Sequence, residues 1–198
     1  MFSYFAGFES ILYALVMGHL LLGVGRTISI IERVQLSWVH ILIVTQILLT
    51  LCLGYYYSFF IQDLYVKTAE TSKWLWFFTR ILPVGVLYLL SVQLFPEYFA
   101  NRVDYQDLIR SRARRILALF TVFMVTGLIR LVSEVCLSES GCVANFSAAN
   151  MRLFIPQSIS LMIALFALSR SQVYPWLAGM SVLGLLYVIV LMSMPVSV

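Results

Sequence analysis

The stretch FSYFAGFESILYALVMGHLLLGVGR, Phe2 to Arg26, decides the fold. It is apolar for more than twenty residues, long enough as a helix rising about 1.5 Å per residue to cross a bilayer. It nevertheless carries Glu9, His19 and Arg26, and ionisable groups inside a spanning helix face protein or a water-filled cavity. At about 100° per residue, Gly7, Ala14, Gly18 and Gly25 fall within roughly 40° of one another. That strip predicts close approach of a neighbouring helix. Glu9, His19, Gly23 and Arg26 lie on roughly the opposite side, so this helix is expected to be surrounded by protein.

The rest of the chain has the same character. Of its 198 residues 62% are hydrophobic and 11% charged, with mean hydropathy +0.95. Soluble domains carry roughly 25% charged residues, so the expectation is an all-α polytopic membrane protein, one six-helix bundle with no separate soluble domain. The spans read as 2–28, 36–60, 74–95, 115–137, 153–169 and 173–195. Trp38, Trp74 and Trp76 mark interfaces, Pro83 predicts a kink in the third span, and a tight turn at Arg170–Pro175 makes the fifth and sixth antiparallel neighbours. The N-terminus lacks the positive n-region of a cleavable signal.

Lysine and arginine orient the spans. With both termini outside, the inner connections hold Arg26, Arg33, Arg102, Arg110, Arg112, Arg114, Arg115 and Arg170, and the outer ones only Lys67, Lys73 and Arg152. The net charge of +4 thus serves orientation and does not point to nucleic acid. The inner connection 97–114, EYFANRVDYQDLIRSRAR, is either a plain basic connector or an amphipathic helix lying in the interface, with Phe99, Val103 and Leu108–Ile109 toward lipid. Cys136 and Cys142 flank an outer loop and could form a disulfide; Cys52, in mid-span, reads as a small core residue.

Orientation sets depth. Glu9 lies roughly 10 Å below the outer end of the first span. Arg80, Arg130, Glu134, the tyrosines around Tyr56, and Gln157 fall in the same outer-leaflet layer. Two readings follow: a cavity open to the outside, binding a small polar or anionic ligand or a lipid headgroup, or an internal salt-bridge network that only locks the bundle. Deeper, His19 and Gln46 come level and are expected to hydrogen-bond. His40 lies about two turns nearer the inner face than His19, so the two do not make a level haem pair, and no ligand set for zinc or another metal is evident. Trp38, His40 and Arg26 are expected to cluster at the inner face.

The run GHLLLGVGRTI (Gly18–Ile28), the WVH of Trp38–His40, the aromatics Tyr55–Tyr57 and the stretch DYQDLIRSRARRILALF (Asp104–Phe120) resemble a group of small bacterial six-helix integral membrane proteins. The resemblance covers roughly residues 9–120. It implies a prokaryotic inner membrane and no particular activity. The chain departs from the group in having tyrosines where the second helix of the group ends in tryptophan.

The leading expectation is a binding or sensing module with an outward-facing polar pocket and no cofactor. At the inner side Arg102, Arg110, Arg112, Arg114 and Arg115 would meet a cytoplasmic protein or anionic lipid, and self-association is open to so small a bundle. The alternatives are a small transporter or channel using Glu9 and His19, weakened by the lack of inverted repeats, and a purely structural scaffold. An intramembrane enzyme lacks a nucleophile–base pair or paired carboxylates at catalytic spacing.

Overall fold

The computed structural model describes the backbone of residues 2–60, 73–96, 103–136 and 148–193, and the side chains of 7–56, 79–96, 104–129, 132 and 155–190. Within these residues the protein is all-α: α1 (Phe2–Ser29), α2 (Trp38–Phe60), α3 (Lys73–Leu94), α4 (Tyr105–Cys136), α5 (Ala148–Leu168) and α6 (Tyr174–Ser193). They form a closed bundle in the order α1, α3, α4, α5, α6, α2, in which α2 also reaches α3 and α4. A 3₁₀ turn at Ile31–Arg33 leads into β1 (Val34–Gln35), which pairs in parallel with β2 (Val103–Asp104), placing Val34 opposite Val103 and Gln35 opposite Asp104.

The core follows from four-residue spacing. On α2, Val39, Ile43, Ile47 and Leu51 form one buried stripe. It meets Val16 and Leu20 of α1, Leu87, Leu90 and Leu94 of α3, Ile116 and Leu117 of α4, and Leu177 of α6. The outer surface is also apolar. Every helix turns large hydrophobic side chains outward, among them Ile11 and Leu22 on α1, Ile41 on α2, Leu89 on α3, Ile129 on α4, Met162 on α5 and Leu186 on α6. Two segments, Gly7–Ser29 and Trp38–Tyr56, are long and apolar enough to cross a membrane; Thr79–Leu94, Ile155–Leu168 and Tyr174–Val190 are shorter apolar helices.

Three expectations are corrected. First, α1 is not surrounded by protein. Gly7, Ala14 and Gly25 are exposed, and nothing lies within 4 Å of a Cβ added at Gly7, Gly18 or Gly25. The close approach is on the opposite face, where a Cβ on Gly23 would sit 2.5 Å from the Phe95 ring. The small residues therefore border the outside, while the face bearing Glu9 and Gly23 carries the packing.

Second, much of the connection 97–114 is helix. Asp104 caps it: its Oδ1 accepts the backbone N–H groups of Gln106 (2.8 Å) and Asp107 (3.3 Å), and Asp107 adds negative charge to the first turn. Residues 105–114 continue directly into the expected fourth span, and Ile109 is fully buried against protein instead of facing lipid. Phe99 and Arg102 lie outside the described residues. Third, Cys52 is exposed and is no core residue.

Candidate functional site

The polar layer expected near one end of the bundle contains a closed ion pair. Glu9 of α1 and Arg80 of α3 approach at 3.6 Å (Oε1 to Nη1), with side-chain exposures of 8% and 3%. Arg80 precedes Pro83, which has no N–H to donate to the carbonyl four residues back. Of the other residues assigned to this layer, the side chains of Arg130 and Glu134 lie outside the described residues, as do that of Cys136 and the whole of Cys142. Tyr56 is on the surface. Gln157 does not point to Glu9. Its Nε2 donates to the Met124 carbonyl at 3.4 Å and sits where Gly127 leaves room, pinning α5 to α4.

Beside the ion pair lies a groove that the polar-layer reading missed. Ser10, Tyr13, Ala14 and Met17 of α1 and Leu51, Cys52 and Tyr55 of α2 line a space of about 320 Å3. Tyr13 packs edge-on against Tyr55, with centroids 6.1 Å apart, and its hydroxyl occupies the space that Gly54 leaves open. The sequence held a signal for it. Ser10, Tyr13, Ala14 and Met17 recur at helical spacing on one face of α1, and Gly54 stands beside the tyrosines of α2. The walls are apolar aliphatic and aromatic surface with three hydroxyls, a composition suited to an amphiphile.

The deeper pair does not form. His19 packs edge-on to Tyr88 (5.8 Å) and Phe95 (6.5 Å), both on the α3 side. Gln46 turns to α6, where its amide lies against Gly184. The two face different helices because His19 shares the buried side of α1 with Glu9, whereas Gln46 lies on the side of α2 that meets α6.

At the opposite end, His40 forms the centre of a second polar cluster, without the expected neighbours. Trp38 and Arg26 are exposed. The His40 ring stacks at 4.1 Å on Tyr105 and meets the edge of Phe95 at 5.4 Å, while its Nε2–H donates to the Leu94 carbonyl at 3.1 Å. Thr27 gives its one hydroxyl proton to the Gly23 carbonyl (2.8 Å), so the Tyr105 phenol is the donor in the 2.6 Å bond between Tyr105 and Thr27. Burial pushes the Tyr105 phenol up. Arg112 closes the cluster by donating Nη1 to the carbonyls of Gln93 (3.0 Å) and Phe95 (3.2 Å), a cation at the C-terminal end of α3. Thus α1, α2, α3 and α4 are joined at one level by residues far apart in sequence.

The basic residues separate into two groups. Arg112 is committed to α3, whereas Arg110 and Arg114 border an open cleft beside the α5–α6 turn. Arg115 is exposed. Comparison with known proteins gives no matching family model, no matching curated protein and no matching solved structure.

Proposed function

We propose that this chain is a six-span integral membrane protein with both termini outside, in a prokaryotic inner membrane, and that it works as a non-catalytic binding module. Membrane residence is supported by the apolar outer face of all six helices, since soluble monomers seldom expose such continuous apolar surface. The orientation is supported by the grouping of Arg26, Arg33, Arg110, Arg112, Arg114, Arg115 and Arg170 at the end where α1 finishes and α4 begins.

The observation that carries the binding role is the groove between α1 and α2. An amphiphile fits it, with its chain along Met17 and Leu51 and its polar group among Ser10, Tyr13 and Tyr55. The Glu9–Arg80 pair, already closed, stiffens the other side of α1 and is not the ligand contact. The transport alternative has less support, because Glu9 is held by Arg80 and His19 is packed among aromatic rings.

The test is mass spectrometry of amphiphiles retained through purification in detergent. Ala14→Trp fills the groove and is expected to lose the retained species, while Gly25→Trp, on the same helix in open space, keeps it. Equal retention in both variants would overturn the binding role. A purely structural protein, the second reading, is favoured by the burial of the ion pair, and predicts no specifically retained species in any variant.

A further inference from the structure

At the basic end, the first turns of α4 and the connection into α6 enclose a cleft of about 750 Å3. Arg110 and Arg114 line one wall, with Ser111 between them; Ser171, Gln172 and Tyr174 line the other. The arginines are four residues apart and so share a face of α4, where like charges repel and weaken the helix unless an anion lies between them. Both are exposed, and each makes one contact across the cleft. The Arg110 guanidinium lies over the Tyr174 ring at 5.4 Å, and Arg114 Nη2 donates to the Arg170 carbonyl at 3.5 Å. Neither is within ion-pair distance of a carboxylate among the described residues, and the cleft lining contains no acidic side chain. Ser171 to Val173 lead into the 20-residue α6, whose first residues Tyr174 and Pro175 also line the cleft, so the positive end of that helix borders the same space.

We infer that this cleft is a binding site for a phosphate-type oxyanion. Two guanidinium groups, the Ser171 hydroxyl and a helix N-terminus supply donors and positive field, the donor set that phosphate oxygens take, while Ser111 already donates its hydroxyl proton to the Leu108 carbonyl at 2.9 Å. Arg170 stacks on Phe166 at 4.5 Å, and Phe166 packs against Trp176 at 5.4 Å, an aromatic-basic border of the kind found at headgroup level. The site therefore suits the phosphate of an anionic lipid in the inner leaflet, or a soluble phosphate reaching the same level from the cytoplasm. Only the lipid source rests on the topology proposed above.

The full chain in phosphatidylcholine nanodiscs tests this in two arms. One adds inorganic phosphate against chloride at matched ionic strength; the other dopes the disc with phosphatidylglycerol. Thermal unfolding is read in both. A rise in midpoint in either arm is expected, with apparent affinity falling about tenfold in Arg110→Gln and in Arg114→Gln and unchanged in Arg115→Gln. A rise with inorganic phosphate assigns a soluble anion, and a rise with phosphatidylglycerol alone assigns the headgroup. No rise in either arm, or an equal loss in Arg115→Gln, overturns the site. Ser171→Trp, which blocks the cleft and keeps both arginines, gives the same loss if an arginine variant fails to fold. Labelling of Ser171→Cys from the outer side, with the native cysteines replaced by serine, would overturn the topology and leave the phosphate arm standing.

Discussion

The two ends of the bundle solve the problem of buried polarity differently. At one end, among the described residues, the ion pair Glu9–Arg80 joins α1 to α3. At the other, His40, Thr27, Tyr105 and Arg112 join four helices through neutral hydrogen bonds, ring contacts and one guanidinium on backbone carbonyls. The first arrangement concentrates its energy in two charges, each of which is costly without the other. The second spreads it over many partners, and loss of any one leaves most of the rest in place. The charged end is therefore fragile to single substitutions and the aromatic end is robust.

Substitutions at the ion pair test the contrast most severely. Glu9→Leu takes the carboxylate away from a buried guanidinium and is expected to cost about 3 kcal/mol, read as thermal unfolding in detergent, whereas the double variant Glu9→Leu, Arg80→Leu recovers part of the loss. Additive losses would show that the two side chains do not act as a pair. Next comes the face of α1. Gly23→Ala drives a methyl into the Phe95 ring and is expected to cost about 1–3 kcal/mol, while Gly25→Ala meets nothing and changes stability by less than about 1 kcal/mol, in the stabilising direction. Equal effects would mean that α1 presents a different side to α3.

At the aromatic end Tyr105→Phe removes one hydrogen bond and keeps the ring stack, for an expected cost of about 1 kcal/mol. A loss as large as that of Glu9→Leu would erase the contrast. The smallest effect is with pH. Tyr105 lies before the proposed fourth span, and its phenol is harder to ionise in the folded protein than in the unfolded chain. Its contribution is therefore full below the ordinary tyrosine value of 10.0 and is lost as pH rises above it. The alkaline decline in unfolding midpoint should be shallower in Tyr105→Phe.

Six helices were legible because their apolar lengths and the punctuation at Pro96 and Pro175 are local signals. The common level of Glu9 and Arg80 was legible from counting residues inward from each span end. The buried side of α1 was not, since a strip of small residues permits close packing without requiring it, and the Phe95 ring chose Gly23 instead. The start of α4 was obscured by its charge. Arg110, Arg112 and Arg114 read as either a connector or a separate interfacial helix, although Asp104 supplies a cap and these residues are good helix formers. The cluster around His40 depends on Leu94 and Tyr105, 54 and 65 positions away, which no local pattern brings together.

If α2 and α3 cross a membrane as proposed, the two-residue ladder between Val34–Gln35 and Val103–Asp104 carries a condition on how the chain enters the bilayer. Its strands are separated by α2 and α3. They share a side of the membrane only when the chain between them crosses an even number of times. If one of those two helices failed to insert, β1 and β2 would stand on opposite surfaces with the whole hydrocarbon layer between them. The ladder is thus a parity check on insertion, closed only in chains whose second and third helices have both gone in or both stayed out.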